Sequence, residues 1–231
     1  MDMSKKAVIV LSGGLDSTTC MGMAQAEGYE LYPITFYYNQ RHDKEVEHAR
    51  KVAAHYGVAD RHKVVDVSFL GQIGGSALTD QSMEVPTSGV GDEIPSTYVP
   101  ARNLIFLSLA TAYAEVIGAK VLYTGVNAVD YSGYPDCRPE FIQSMEETIN
   151  LATKLGVTSD EKLRIETPLI SLTKGEIIER GLALGVPYEL TTSCYVGDAE
   201  ACGECDSCLL RLKGFAENGA EDPIPYKKKI G

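Results

Sequence analysis

The stretch AVIVLSGGLDSTTC, residues 7–20, constrains the fold of this chain more than any other. Val8, Ile9, Val10 and Leu11 form an unbroken apolar run, as in a parallel strand buried on both faces. Ser12-Gly13-Gly14 follows, then a helix-like segment over 17–28 that ends at Gly28. A strand that passes through two glycines into a helix gathers several backbone N–H groups in one place. Glycine lacks Cβ, so its backbone can approach a ligand closely and take positive φ. The first N–H groups of the helix have no intrahelical partner, and the helix dipole favours an anion there. Ser12, Ser17 and Thr18 add hydroxyls. The plain alternative is a tight turn with Ser17 as helix cap. The convergence of glycines, hydroxyls and helix start favours a phosphate cradle.

The pattern after the cradle predicts an alternating fold. LYPITFYY (31–38) reads as a strand rich in β-branched and aromatic residues. In residues 43–57, Val46, Ala49, Val52, Ala53 and Tyr56 recur at helical spacing before Gly57. HKVVDVSFL (62–70) supplies a third strand. The β-α-β-α-β order implies a parallel sheet covered by helices. Residues 71–99, rich in Gly, Ser, Thr and Pro, are too long for an ordinary connection and read as a functional excursion or lid. A helix over 102–118 and a strand over 119–125 follow. Next come a polar loop, a helix over 139–156 opened by Pro139, and a strand over 163–169. The helix of TKGEIIERGLALG carries a capping box, Thr173 with Glu176. The expected organisation is a main α/β domain that carries the cradle over 1–189, then a metal-stapled segment and tail over 190–231.

Six cysteines raise the question of disulfides. The N-terminus lacks the long apolar region and cleavage site of a secretory signal, and four cysteines crowd near the C-terminus. In a reducing compartment, clustered cysteines favour metal. Cys194, Cys202, Cys205 and Cys208 have the spacing C-x7-C-x2-C-x2-C, suited to a closed tetrahedral zinc site of structural type. Four thiolates are also the usual ligands of an iron–sulfur cluster, and free thiols are the plain reading. Cys20 reads as a small core residue, and Cys137 stands in the polar loop. The histidines at 42, 48, 55 and 62 have no acidic or cysteine partner at ligand spacing and read as surface or partly buried residues. A net charge of −11 over 231 residues offers no general attraction for nucleic acid or anionic membrane. No apolar run reaches membrane-spanning length, so the expected place is the cytoplasm.

Three polar stretches follow predicted strands or open predicted helices, which places them at the carboxyl edge of the sheet, where open α/β folds bind ligands. They are YYNQRH with Gln40 and Arg41, YVPARN with Arg102, and GVNAVDYSGYPDCRPEF with Asn127, Asp130, Tyr131, Asp136 and Arg138. The third joins aromatic rings, carboxylates and an arginine, a set suited to a planar heterocycle bearing an acidic group.

The loop SGGLDS is neither G-x-x-x-x-G-K-[ST] nor G-x-G-x-x-G. It resembles the PP-loop of the adenine nucleotide alpha hydrolase-like ATP pyrophosphatases. Taken with YNQRH, VPARN, YSGYPDCRPEF, TPLISLTKGEI and the cysteine spacing, it makes nearly the whole chain similar to the 7-cyano-7-deazaguanine synthase family of the queuosine pathway. The resemblance implies a Rossmann-like α/β fold, a parallel twisted sheet with helices on both faces and a small zinc-stapled C-terminal segment. It implies that ATP, with Mg²⁺, activates 7-carboxy-7-deazaguanine at the α-phosphorus, that ammonia gives the amide, and that a second ATP turns the amide into the nitrile. Leu11, Ser12, Gly13, Gly14, Asp16, Ser17 and Thr18 are then expected at ATP. Gln40, Arg41, Asn127, Asp130, Tyr131, Asp136 and Arg138 are expected at the deazaguanine. Asp16, Arg102 and Lys174 are expected to be catalytic, with Asp16 a candidate for Mg²⁺ and Arg102 and Lys174 for departing pyrophosphate. Lys174 also reads as a solvated first-turn residue. The family suggests a homodimer with zinc as a brace. The alternative is another PP-loop synthetase, or a tRNA-modifying enzyme that forms thiolated bases or lysidine; the acidic balance disfavours the RNA enzymes.

Overall fold

A computed structural model of the chain describes residues 5–38, 44–80, 82–83, 94–129, 134–195 and 200–227. The elements in order are β1 (Lys6–Val10), α1 (Leu15–Ala26), β2 (Glu30–Tyr37), α2 (Lys44–His55), β3 (Lys63–Asp66) and α3 (Phe69–Ile73). Then come α4 (Arg102–Ile117), β4 (Val121–Tyr123), α5 (Pro139–Ala152), α6 (Lys154–Thr158), β5 (Arg164–Glu166), α7 (Lys174–Ala183) and α8 (Asp206–Glu217). The five strands pair in parallel in the order β3-β2-β1-β4-β5.

Strand alternation splits the core in two. Ala7 and Ile9 of β1 pack with α1, α2, α7 and α8 on one face, while Val8 packs with α4 and α5 on the other. This is the double covering that the apolar run of β1 implies. The chain builds β1, β2 and β3 outward, then returns past β1 to lay down β4. A crevice therefore opens at the carboxyl ends of β1 and β4, the switch point at which such sheets take ligands.

Three expectations change. The third strand stops at Asp66, whose Oδ1 accepts from Ser68 N at 2.8 Å and turns the chain into α3. The helix expected over 139–156 breaks at Thr153, which is extended (φ −114°, ψ 151°) and caps α6 by accepting from Gly156 N. Past residue 190 the structure adds α8, whose Phe215 joins the core against Tyr188. Among the described residues no helix is long and apolar enough to cross a membrane.

Candidate active site and cysteine cluster

The two glycines of the cradle have different tasks. Gly13 has φ +79°, and a Cβ there would stand 2.5 Å from Glu45 O and 2.6 Å from Ala49 N. It is therefore demanded by the turn and by the approach of α2. Gly14 is the N-cap of α1, with φ −85°, and it lines the cavity. Thr18 N makes the first intrahelical bond, to Gly14 O at 3.1 Å, so the amides of Leu15, Asp16 and Ser17 precede the helical ladder. The start of α1 has no side-chain cap, whereas α7 is closed by the Thr173–Glu176 capping box. Ser12 and Ser17 lie with their hydroxyls 3.0 Å apart, and Ser12 N donates to Ser17 Oγ at 3.1 Å. Gly125, after β4, abuts this turn: a Cβ there would meet Ser17 N at 2.9 Å.

A cavity of about 310 Å³ opens in the crevice. Its lining includes Leu11, Ser12, Gly14, Asp16 and Ser17 of the glycine turn. Phe36, Tyr38, Phe106 and Tyr134 with Arg102 line it too, and Cys194 and Ala201 reach the same space. Asn127 lines it too, but its amide is engaged in joining loops. Asn127 Nδ2 donates to Leu169 O at 3.0 Å and Leu172 O at 2.6 Å, and Oδ1 accepts from Val129 N.

Gly13, Thr18, Lys174, Asp136 and Arg138 do not line the cavity. Thr18 is fully buried and its hydroxyl donates back to Gly14 O at 2.8 Å. Lys174 is buried rather than solvated: its Nζ donates to Asp16 Oδ1 at 2.7 Å and Oδ2 at 2.9 Å. Asp136 Oδ2 accepts from Asn103 N at 2.9 Å, so this carboxylate caps α4 from another part of the chain. Its service is needed because Ala101, the N-cap residue, is left-handed (φ 56°) and gives no side-chain cap. Arg138 is exposed. The expectations for Gln40, Arg41, Asp130 and Tyr131 fall outside the described residues.

Burial pushes the Tyr38 phenol up to about 12, with the charge of Glu45 adding to the effect. Burial likewise pushes the Cys137 thiol up to about 12, assisted by Asp136, so at neutral pH Cys137 is a thiol rather than a thiolate nucleophile. His48 and His62 are partly buried, as the sequence implied, and each has a partner: His48 Nδ1 donates to Leu190 O at 2.6 Å, and His62 Nε2 meets Thr35 Oγ1 at 2.7 Å. His48 also lines the cavity. Phe36, Tyr38 and Phe106 line the cavity as well, beyond the residues that the motifs single out. Phe36 and Tyr38 share one side at the end of β2, and Phe106 stands one helical turn beyond Arg102. Both spacings were visible signals.

The sulfurs of Cys194, Cys202, Cys205 and Cys208 all lie within 4.8 Å of one another. Cys205 is the N-cap of α8 and Cys208 lies in its first turn, so the second C-x2-C is a helix start. Backbone N–H groups of Cys202 and Cys205 donate to Cys194 and Cys202 sulfur at 3.3 Å each. The tail crosses this knuckle, Ala201 N donating to Pro225 O and Lys227 N to Ala201 O, both at 2.9 Å. Arg211 locks the tail. Its five N–H groups reach Asp222, Thr191, Ser193 and the carbonyl of Tyr188, and the guanidinium is 1% exposed.

Residues 6–219 match the family described as queuosine biosynthesis protein QueC. A 7-cyano-7-deazaguanine synthase of Oceanobacillus iheyensis is 62% identical over 222 residues, covering 96% of this chain and 98% of its own. Another, of Geobacter metallireducens, is 58% identical over 226 residues, covering 97% and 94%. Among solved structures, a 4-thiouridine synthetase–RNA complex with bound ATP matches with TM-score 0.50 at 21% identity, over 92% of this chain. The chain spans 50% of that synthetase, and the likeness concerns the fold.

Proposed function

The chain belongs to the QueC family of queuosine biosynthesis proteins, and on that premise we propose that it converts 7-carboxy-7-deazaguanine and ammonia to 7-cyano-7-deazaguanine at the expense of ATP. The observation that carries this reading is one cavity lined both by an uncapped glycine-loop helix start and by aromatic rings with an arginine. Ser12, Gly14 and Ser17, with the amides of Leu15 and Asp16, hold the phosphates of ATP, and Leu11 backs them. Gly13 and Thr18 shape the turn from behind. The carboxylate attacks the α-phosphorus of one ATP and releases pyrophosphate, and after ammonia has displaced AMP the amide oxygen attacks that of a second ATP, so one cradle serves both activations. Asn127 and Asp136 hold the loops that frame the substrate, with Gln40, Arg41, Asp130 and Tyr131 completing its recognition, while Arg138, exposed and away from the cavity lining, is left out of it. The family membership and the acidic charge favour this over a tRNA-modifying reading.

The cysteine cluster fits a single ion. Four thiolates at about 2.3 Å from one zinc stand about 3.8 Å apart, compatible with the sulfur separations here, whereas a multi-iron cluster spreads its ligands further. Bound zinc supplies a structural brace. Asp16, expected at Mg²⁺, has both oxygens on Lys174, so Mg²⁺ is placed on the ATP phosphates instead. Residues 1–189 then carry the nucleotide chemistry and 190–231 the metal segment, in a cytoplasmic enzyme. The outward stripe of α4, with Leu104 43% and Val116 83% exposed, supports a homodimer, which sedimentation tests.

The decisive experiment follows ATP, ammonium and 7-carboxy-7-deazaguanine by mass spectrometry with folded, metal-loaded protein. The nitrile and two AMP per turnover are expected; absence of the nitrile overturns the reading. Pyrophosphate release that needs tRNA would favour the alternative.

A further inference from the structure

Among the described residues, one fully buried and one partly buried arginine stand in opposite circumstances. Arg211 has all five N–H groups engaged and a carboxylate partner. Arg102 faces the cavity, and among the described residues it has no ion pair. Its one hydrogen bond there is a long one, Nη1 to Tyr38 OH at 3.5 Å. A guanidinium sheltered from water without a carboxylate is costly unless a ligand supplies the anion.

The surroundings of Arg102 specify the shape of that anion. Its guanidinium stands 5.9 Å from the centre of the Tyr38 ring. Phe36 and Phe106 stack at 4.3 Å and 19°, and Tyr38 tilts against Phe106 at 5.7 Å. Phe106 lies four residues beyond Arg102, so one face of α4 presents cation and ring together. Arg102 thus lies over the Tyr38 ring beside a stack of two further rings, an aromatic corner with a bidentate donor, suited to a planar ring that carries a carboxylate. Tetrahedral phosphate already has the glycine loop among the same lining. Arg102 is also held from both flanks: Ala101 N donates to Tyr98 OH at 3.0 Å, and Asn103 N donates to Asp136. The donor is thus set before the ligand arrives.

We propose that Phe36, Tyr38, Phe106 and Arg102 form the receptor for the heteroaromatic acid, Arg102 binding its carboxylate and the aromatic corner its ring. This rests on the synthase reading, and it moves Arg102 from departing pyrophosphate to the substrate carboxylate. The two roles separate because the enzyme activates an acid and then an amide. Pyrophosphate leaves in both steps, but a carboxylate is present only in the first.

The test compares wild type, Arg102→Gln, Arg102→Lys and Phe106→Leu with 7-carboxy-7-deazaguanine and, separately, with the corresponding amide. Arg102→Gln is expected to lower kcat/KM for the acid about 100-fold and that for the amide at least tenfold less, with Arg102→Lys recovering part of the loss. Phe106→Leu raises KM for acid and amide alike. Equal losses for acid and amide in Arg102→Gln would return Arg102 to pyrophosphate. A raised KM for ATP alone in Phe106→Leu would put adenine in the aromatic corner. Calorimetric binding of the acid without ATP makes the comparison without turnover: about tenfold weaker binding to Arg102→Gln is expected, and equal binding overturns the receptor. If wild-type protein binds the acid but makes no nitrile, the synthase reading fails while the receptor stands.

Discussion

Lys174 Nζ donates to both carboxylate oxygens of Asp16, at 2.7 and 2.9 Å, across 158 residues of sequence. The pair ties the first turn of α7 to the first turn of α1, beside the phosphate cradle. Gly214 makes room for it: a Cβ there would come 3.0 Å from Lys174 Cγ. With the Lys174 side chain 8% and Asp16 23% exposed, breaking one partner leaves a charge poorly solvated. Lys174→Met is expected to cost about 2–3 kcal/mol of stability by urea unfolding. Adding Asp16→Asn should recover part of that stability while turnover stays lost. A double variant as active as wild type would deny the pair any part in the reaction.

Gly13 and Gly14 should fail in different ways. Gly13→Ala places a methyl against the backbone of α2 at a left-handed φ, and about 2–4 kcal/mol of destabilisation is expected. Gly14→Ala meets Ser12 Oγ at 3.2 Å and Thr192 O at 3.4 Å, contacts the fold can absorb. It should fold and raise KM for ATP by narrowing the cradle. Matched unfolding curves and ATP titrations of the two variants check this.

His62 makes stability depend on pH. Burial, with the charge of Arg50, lowers its folded value from 6.5 to about 4. Its neutral ring meets Thr35 Oγ1, which in turn donates to Leu11 O at 2.6 Å. The unfolded chain takes up the proton first as pH falls, so stability is fully present above 6.5 and declines between 6.5 and 4. Allowing for the solvent screening of a half-buried ring, about 1 kcal/mol should disappear between pH 7 and pH 5. His62→Gln should lack this share of the decline, measured by urea unfolding at both values.

Arg211 couples the tail to the cysteine knuckle. Asp222, bonded to it at 2.7 and 3.0 Å, also accepts from Tyr226 OH at 2.5 Å. Arg211→Met strands that carboxylate in the interior and is expected to cost about 3–5 kcal/mol. Metal should then be released to a chromogenic chelator faster than from wild type. Unchanged metal release would show that the knuckle holds without the tail.

The layering was readable because it is written in local periodicity. Val8–Leu11 announced a buried parallel strand, and Val46, Ala49, Val52 and Ala53 announced the buried face of α2. The third strand was read too long because Asp66 turns the chain through a side-chain bond that apolar patterning does not register. The start of α8 was hidden for a similar reason: Cys205 and Cys208 read as ligand spacing, and the same spacing is the first turn of a helix.

Sequence alone was enough for the α/β class, the glycine turn at residues 12–17 and the cluster of four cysteines. Each of these depends on neighbours within a few residues. It could not show which polar side chains reach the cavity. Asp136 and Arg102 both lie in motifs of suitable chemistry, yet Asp136 turns to cap α4 and Arg102 turns to the cavity. Lys174, polar and at a helix start, is buried against Asp16 because α1, α7 and α8 close around it. Such choices depend on contacts between segments distant in the chain, where burial forces each polar group to find a partner, and local patterns carry no record of which partner that is.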